Sequence, residues 1–419
     1  MGAHILDMKT SFHIPAHLCI RCRGTKMLCG LSYCPITVES FTVPRMKLVR
    51  SDSIEGSSPP SVFVGRYGYP KVRIYPSAPP VFGETSLYED STRWLSIGME
   101  EFLSMRLSLV RGGIDISVNN ASNPDSTFQN LQLLSMSGKP VELQMSFQKA
   151  LSTDKIMLSE YVPPMGPSAP VNKFETGNIK IERNVEKVHY DTDLKAGMAM
   201  IDLYRGGQNV GMISKILSTG SIGTARQRKA VPTRWSITAV DKNISDSLVD
   251  EIKHLETVDK FLTFARPVNG NLFMGIIAPY SWRYEWGESW FPGSTWNYWG
   301  REAEVEIDYE DYWGRKDYPG IGGCYYASRL AVSEYLKKIG RQGSPILWRE
   351  IYPGFNLPVG VWFVRENLRT MFNEKPVEFD TLEQALGYIS GYMKVPLRKW
   401  LERSWVVPSI RSRTLESFL

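Results

Sequence analysis

Four of the five cysteines of this chain lie close together near its start, in the segment "LCIRCRGTKMLCGLSYCP". Their spacing is Cys19-x2-Cys22-x6-Cys29-x4-Cys34, and glycines lie close after two of the thiols. Short loops bring thiolates together at a small cost in chain entropy, and converging thiolates are ligands for soft metal ions. The spacing therefore predicts a metal site that organises the N-terminal region.

Zinc is the metal that we expect there, because four cysteines complete a tetrahedral shell with no open position for water. An iron–sulfur cluster is the main alternative, since thiolates alone can hold one and Pro35 follows the last cysteine. The gap between Cys22 and Cys29 differs from the ferredoxin spacing. Two disulfides, or four unrelated buried thiols, are a further alternative, and a reducing cytosol disfavours the disulfides. His13 and His17 are interpreted as bystanders or as hydrogen-bond donors beside the ligands.

The composition is that of an ordinary folded protein. The 419 residues are 42% hydrophobic and 22% charged, which is enough for about two or three domains. A formal net charge of +5 permits contact with nucleic acid without requiring it. Because neither a signal peptide nor an apolar run of about 18 residues occurs, we expect a soluble, cytoplasmic protein with no membrane partner.

Strand and helix patterns alternate along the body, which predicts an α+β (mixed α/β) fold. Strands are predicted at "KVRIY", "VELQMSF", "AMIDLYR" and "WSITAV". Helices are predicted at "STRWLSIGMEEFLSMRLSLVRGG", "QNVGMISKIL", "SDSLVDEIKHLETV" and "GIGGCYYASRLAVSEYLKKIG", and at "TLEQALGYISGYM", which opens with a capping box. The predicted organisation is a four-cysteine zinc-finger module over 1–50, a mixed α/β body over 51–240, an aromatic-rich α+β part over 241–405 and a flexible tail over 406–419.

Two segments carry basic side chains next to aromatic ones. The first, "TARQRKAVPTRW", holds Arg226, Arg228, Lys229 and Arg234. Such a cluster is suited to displacing the counterions of a nucleic-acid backbone, and a solvated basic loop would look the same. The second segment, residues 51–84, is rich in Gly, Ser and Pro. It contains Arg66 and Lys71 among tyrosines, as in a loop that holds phosphates and stacks bases, or as in a packed loop whose aromatic rings belong to the core.

An acidic strand is predicted at "EAEVEIDYEDY", within a segment, 280–326, that holds six of the twelve tryptophans. Glu304, Glu306 and Asp308 alternate with apolar residues there, so they share one face. Paired carboxylates could bind a divalent metal or transfer protons. A strand edge defended by charges has the same pattern, and we favour that interpretation. Cys324, at the start of the following helix, is interpreted as a buried structural thiol.

The last residues, "SRTLESFL", resemble the peptide with which replication and repair proteins bind the sliding clamp, usually Gln-x-x-aliphatic-x-x-aromatic-aromatic. Leu415 matches the aliphatic position, and Phe418 and Leu419 match the aromatic ones. Ser412 stands where glutamine is usual, and Leu419 replaces an aromatic residue. In this mode of binding one helical turn places the apolar side chains on the same side, where they fill a pocket.

The cysteine segment and the following "GSSPPSVFVGRYGYPKV" resemble the archaeal Nre family of DNA repair proteins, and the resemblance extends to the C-terminal motif. It implies a role in the response to DNA damage, in the cytosol of an archaeon and associated with the nucleoid. It also implies a zinc finger at the four cysteines and association with the DNA polymerase sliding clamp (PCNA), with other repair proteins as possible partners. No catalytic residues accompany it, so an enzymatic activity is left open. The leading hypothesis is a DNA-binding repair factor; the alternative is a DNA- or nucleotide-modifying enzyme that uses the acidic strand (302–311) or the Gly-rich loop (56–68).

Overall fold

The computed structural model describes residues 15–24, 26, 28–30, 34, 52–151 and 156–416 of the chain. These residues form two six-stranded mixed sheets with helices packed around them. The predicted α+β class is therefore confirmed. A short helix, α1 (Ala16–Cys22), lies in the cysteine segment.

The first sheet has the strand order β1-β5-β6-β4-β3-β2. Its strands are β1 (Ser53–Ser58), β2 (Ser61–Val64), β3 (Lys71–Ala78), β4 (Val110–Ser117), β5 (Val141–Phe147) and β6 (Ser168–Thr176). Only the β4–β6 pair within this sheet is parallel. Helices α2 (Met99–Leu107) and α3 (Ser126–Met136) belong to this part of the chain, together with 3-10 turns at Ser86–Tyr88, Ser91–Ser96 and Val118–Ser122. Phe128, Leu131 and Leu134 recur at helical spacing on α3 and pack into the core of the sheet.

Four helices connect the first sheet to the second. They are α4 (Arg183–Tyr190), α5 (Ala196–Arg205), α6 (Val210–Ser218) and α7 (Thr233–Ile252), with a 3-10 turn at Ala225–Gln227. The strand predictions for "AMIDLYR" and "WSITAV" are wrong, because these segments lie within α5 and α7. Ala199, Met200 and Leu203 are buried at helical spacing, whereas a short apolar run read alone does not separate a strand from a buried helix.

The second sheet has the order β10-β9-β11-β8-β7-β12, with β9 and β11 parallel. Its strands are β7 (Phe261–Val268), β8 (Asn271–Ala278), β9 (Tyr284–Trp290), β10 (Glu304–Glu310), β11 (Ser344–Ile351) and β12 (Val377–Phe379). The helices that follow or interrupt these strands are α8 (Gly323–Ile339), α9 (Trp362–Met371), α10 (Leu382–Ser390), α11 (Leu397–Leu401) and α12 (Val406–Glu416). Helices α8 and α9 pack on one face and α10 to α12 on the other, so every residue of β8 is buried.

The helix predicted to stop at Gly112 and Gly113 ends earlier, since both glycines lie in β4. A Cβ atom on Gly112 would be 2.3 Å from Val171 Cγ2 and 2.4 Å from Met145 Sδ. Glycine is therefore required at this position for the close packing of side chains from the neighbouring strands, not for ending a helix.

The C-terminal segment is more ordered than predicted, because residues 406–416 form α12 in place of a tail. Val406, Val407 and Ile410 are fully buried against the second sheet. The carboxylate of Glu285 accepts hydrogen bonds from the backbone N–H groups of Trp405 and Val406, at 2.8 and 3.0 Å, and so caps the helix. The sequence signal failed because this helix is stabilised by tertiary packing and not by its own periodicity. Among the described residues no helix is long and apolar enough to cross a membrane.

Candidate functional site

A pocket of about 410 Å³ lies where the cysteine segment meets the first sheet and α7. Arg23 and Cys34 line it from the cysteine segment, residues 63–67 from the end of β2, and Trp296 from the aromatic-rich part. Four guanidinium groups contribute to its wall, and we name it the arginine pocket after Arg23, Arg66, Arg111 and Arg234. Among the described residues that line it, Glu160 is the only carboxylate.

An ion pair between two buried side chains, Arg23 and Glu160, forms the floor of the pocket. Arg23 Nη1 lies 2.6 Å from Glu160 Oε1 and 3.0 Å from Glu288 Oε2. Arg23 Nε donates to the carbonyl of Ile20 at 2.8 Å, which holds the guanidinium in place. Burial raises the pKa of the Glu160 carboxyl, while Arg23 acts in the opposite direction.

Two atoms of this pair have no hydrogen-bond partner among the described residues. They are Arg23 Nη2, a donor, and Glu160 Oε2, an acceptor. Both side chains are well buried, with 3% of Arg23 and 7% of Glu160 exposed. Buried polar groups are nearly always paired, so these two atoms, on side chains that line the pocket, mark a place where water or a ligand group could complete the hydrogen bonding.

Arg111 and Tyr75 form a side wall. The Arg111 guanidinium lies 5.2 Å from the centre of the Tyr75 ring, and its Nε donates to the carbonyl of Gly166 at 2.9 Å. Burial lowers the pKa of Arg111 to about 10. Burial disfavours the charged guanidinium of Arg111. An anionic group close to it in the pocket would stabilise that charge and be stabilised by it.

The rim of the pocket carries two of the predicted DNA-contact residues. The Arg66 guanidinium lies 5.0 Å from the ring centre of Tyr67, whose side chain is 78% exposed. The Arg234 guanidinium, at the start of α7, lies 3.8 Å from the ring centre of Tyr161. Arginines stacked on aromatic rings are held in a defined orientation, which suits contact with phosphate or a base.

An exposed surface continues from this rim. We name it the basic–aromatic face, and it consists of Tyr67, Tyr69, Lys71, Arg226, Lys229 and Trp235, all exposed. The rings of Tyr69 and Trp235 are 5.5 Å apart. Val118 joins its two segments, because its N–H donates to the carbonyl of Pro70 at 3.0 Å and its carbonyl accepts from the N–H of Ala230 at 2.8 Å. The two basic segments predicted separately are therefore adjacent in the fold.

Arg228 differs from the other basic residues of its loop. Its guanidinium donates to the backbone carbonyls of Gly223 and His189. These contacts hold the loop in place, so Arg228 supports the position of Arg226 and Lys229. Neither Arg226 nor Lys229 lines the arginine pocket.

Three cysteines of the predicted metal site, Cys22, Cys29 and Cys34, lie close enough to Cys19 to affect its ionisation. Cys19 and Cys22 lie three residues apart on α1. Burial, and then the neighbouring Cys34, Cys22 and Cys29, raise the pKa of Cys19 to about 12. Within the described part of the chain, however, no three His, Cys, Asp or Glu side chains are placed to hold one metal ion. All five cysteines are free thiols, and zinc remains a prediction.

The cysteine segment packs against the second sheet through apolar contacts. Ile20 is buried in a cluster with Trp290, Trp296 and Ile351, and Cys19 and Cys34 pack against the same cluster. His13 and Pro35 lie outside the described residues. The segment therefore contributes directly to the shape of the arginine pocket.

The acidic strand is an edge strand, β10, as the preferred interpretation predicted. Asp308 accepts hydrogen bonds from Arg315 and from the N–H of Ile321. Glu310 is buried and accepts from Trp282, Tyr325 and Arg329. None of the carboxylates of this strand lines the arginine pocket, so the strand supplies no acid or base there.

The Gly-rich segment 56–68 is not one continuous loop, since part of it forms β1 and β2. A Cβ atom on Gly56 would lie 2.0 Å from the carbonyl oxygen of Pro79, so this glycine permits a close backbone approach. The end of the segment, Phe63 to Tyr67, nevertheless lines the arginine pocket. Cys324 is 4% exposed, and burial raises its pKa well above the usual value, as a structural thiol requires.

Sequence reasoning missed Arg23, Arg111 and Glu160. Arg23 sits between Cys22 and Gly24 and has a left-handed backbone, with φ of 47°. Nothing in the local pattern of "LSEYVPP" distinguishes Glu160 from a surface carboxylate. These residues become a site only through contacts between distant parts of the chain.

The C-terminal motif lies mostly outside the described residues. Ser412 is exposed, and its hydroxyl donates to the carbonyl of Pro408 at 3.0 Å. Phe418 and Leu419, and the side chain of Leu415, are not among the described parts of the chain.

The family model for "Archaeal Nre, N-terminal" matches residues 28–297, and that for "Archaeal Nre, C-terminal" matches residues 310–418. The chain is 44% identical over 402 residues to the "DNA repair protein NreB" of Archaeoglobus fulgidus, covering 96% of this chain and 100% of that protein. It is 34% identical over 406 residues to the "DNA repair protein NreA" of the same organism, covering 96% and 98%. It is 32% identical over 384 residues to the "DNA repair protein NreA" of Haloferax volcanii, covering 90% and 91%. No solved structure matches the chain significantly. The resemblance inferred from the sequence is confirmed, and this chain belongs to the archaeal Nre family.

Proposed function

We propose that this protein acts in DNA repair and binds DNA through the basic–aromatic face. Relatives that match nearly the whole chain are named DNA repair proteins. The observation that carries the proposal is the adjacency of the two basic segments, which are hydrogen-bonded to Val118 at Pro70 and Ala230, the neighbours of Lys71 and Lys229.

The chemistry of this face favours single-stranded or locally unpaired DNA. Lysine and arginine neutralise phosphates and release counterions, while exposed rings offer flat surfaces on which unpaired bases stack. Tyr67, Tyr69 and Trp235 provide three such rings. In paired DNA the base faces are covered by their neighbours, so the rings would contribute little there.

Salt-dependent binding tests the proposal. We expect the affinity for a single-stranded oligonucleotide to fall steeply with salt. Changing Lys71, Arg226 and Lys229 together to alanine should reduce the slope by about 2, at about 0.7 per phosphate contact. A matched control removes three charges elsewhere, with Arg205, Lys337 and Arg398 changed to alanine, and should keep the slope. Equal slopes in the two triple variants would contradict the proposal.

We further propose that the sliding clamp recruits the protein through Ser412, Leu415, Phe418 and Leu419. Their spacing supports this, as does the position of the motif at the end of a helix whose first turns are anchored in the core. Changing Leu415, Phe418 and Leu419 to alanine should abolish binding to the clamp in calorimetric titration and leave DNA binding unchanged. Undiminished clamp binding by this variant would exclude the motif.

We infer that the four cysteines hold zinc. The donor set suits a soft ion, and mutual proximity is supported by the effect of Cys34, Cys22 and Cys29 on Cys19. Bound zinc would fix the cysteine segment, and with it the position of Arg23 in the arginine pocket.

A further inference from the structure

We propose that the arginine pocket binds a single nucleotide extruded from a DNA strand that lies on the basic–aromatic face. The inference rests on the proposed function and names the substrate class of the adjoining pocket. A volume of about 410 Å³ is within the range of pockets for small ligands and accommodates one nucleotide.

The floor of the pocket favours the edge of a base over a simple anion. Arg23 Nη2 lacks an acceptor and Glu160 Oε2 lacks a donor among the described residues, and both atoms belong to side chains that line the pocket and are joined by their ion pair. The hydrogen-bonding edge of a nucleobase presents an acceptor and a donor side by side, and so satisfies both atoms. A sulfate ion or a phosphodiester group has only hydrogen-bond acceptors and a negative charge, so it would satisfy Arg23 but would be repelled by Glu160.

The walls supply flat surfaces for the base. Phe63, Tyr67, Tyr75 and Trp296 line the pocket with aromatic rings, and Phe63 and Tyr75 contact each other with ring centres 5.8 Å apart. Enzymes and repair factors that extrude a base hold it by stacking between such side chains and by hydrogen bonds to its edge.

The side chains at the rim can contact the phosphate of the nucleotide, and they connect the pocket to the DNA strand on the basic–aromatic face. Arg66 and Arg234 lie between the buried floor and the exposed face, each stacked on a tyrosine ring. Arg66 adjoins Tyr67, and Arg234 adjoins Trp235, so the rim continues directly into the basic–aromatic face. A strand on that face can therefore deliver one of its nucleotides without leaving its phosphate contacts.

A free nucleotide shares this chemistry, and the test separates the two sources. The DNA probes are a duplex with one bulged nucleotide, the same duplex with an abasic bulge, and the fully paired duplex. The free probes are the four deoxynucleoside 5′-monophosphates. Affinities are measured for the full-length protein and for two variants, Glu160→Gln and Tyr75→Leu, at one fixed salt concentration.

Glu160→Gln is nearly isosteric and retains an oxygen for Arg23, but it replaces the accepting Oε2 by a donating amide. We expect the wild-type protein to bind the bulged nucleotide about tenfold or more tightly than the abasic bulge. Both variants should lose this preference, because one loses the acceptor and the other loses the stacking surface, and both should bind the paired duplex as before. Circular dichroism and thermal unfolding would confirm that the variants are folded.

A bulge preference that survives both substitutions would overturn the proposal, and so would equal binding of all three duplexes by the wild-type protein. Binding of free monophosphates that is lost in Glu160→Gln, without a bulge preference, would overturn extrusion and assign the pocket to free nucleotides. These outcomes are distinct from failure of the proposed DNA-binding role, in which no duplex or single strand is bound in a salt-dependent manner.

Discussion

Nη1 of Arg23 lies 2.6 Å from Oε1 of Glu160, a residue 137 positions away in the chain. The same nitrogen is 3.0 Å from Glu288 in β9, and Glu288 also pairs with Arg349 of β11. The cysteine segment is thus joined through one guanidinium both to the connection between β5 and β6 and to the second sheet.

Replacing Arg23 by methionine should reduce the free energy of unfolding by about 3–5 kcal/mol, because it leaves the buried carboxylate of Glu160 without its ion-pair partner. Urea unfolding followed by tryptophan fluorescence measures the change. The control is Arg205→Met, which removes an exposed partner of Glu251 and should cost no more than about 1 kcal/mol. Similar losses in the two variants would mean that the Arg23 network is not a determinant of stability.

The purified protein should contain about one zinc ion per chain, as measured by plasma mass spectrometry, if the four cysteines form one closed site. Cys19→Ser and Cys29→Ser should each lose the metal, and chelation should lower the unfolding temperature because metal binding contributes to folding. Cys324→Ser, which changes a buried thiol outside the cysteine segment, should retain it. Several iron atoms with sulfide would identify the cluster instead, and a metal-free wild-type protein would contradict both assignments.

The sequence predicted those helices and strands that a local pattern of residues is enough to identify. The acidic alternation of β10 was recognised at Glu304, Glu306 and Asp308, and the capping box of α10 has both of its hydrogen bonds, between Thr381 and Gln384. Helices α5 and α7 were mistaken for strands in part because their apolar residues form short runs. Their helical form is decided by packing among α4 to α7.

The candidate site was predictable only where charge and aromatic residues cluster along the sequence. Arg66, Lys71 and Arg234 were identified in this way. Arg23 and Glu160 were not, because no local pattern records a contact across 137 residues. Their role depends on burial, which removes both side chains from water and leaves one polar atom of each without a partner in the part of the chain that the structure describes.

Two truncations should separate the core part of the C-terminal segment from the clamp motif. A chain that ends after Ser412 should keep nearly all of its stability, whereas one that ends after Trp405 loses Val406, Val407 and Ile410. Each of these buried side chains contributes about 1.5–3 kcal/mol. Both truncations remove Leu415, Phe418 and Leu419, so both should lose clamp binding. Equal thermal stability of the two truncated proteins would show that α12 is not part of the core.

The imidazole of His189 should make stability depend on pH below neutrality. Its Nδ1 lies 2.7 Å from the carbonyl oxygen of Ser221, and burial lowers its pKa below the ordinary value of 6.5. The charge of Arg228 acts in the same direction, while Glu186 and the bond to Ser221 oppose it. The folded state therefore favours the neutral ring.

As the pH falls through 6.5, the unfolded chain takes up a proton at this position before the folded protein does, so the free energy of unfolding decreases. The decrease attributable to one histidine is at most about 1.4 kcal/mol per pH unit, and it ends below the lowered pKa. His189→Asn keeps an N–H donor for Ser221 but does not titrate. Urea unfolding at pH 7.5, 6.5 and 5.5 should therefore show a smaller pH dependence in the variant. The other four histidines, His4, His13, His17 and His254, are the same in both proteins, so their contributions cancel in the comparison. Identical pH dependence in the two proteins would show that His189 is equally easy to protonate in the folded and unfolded states.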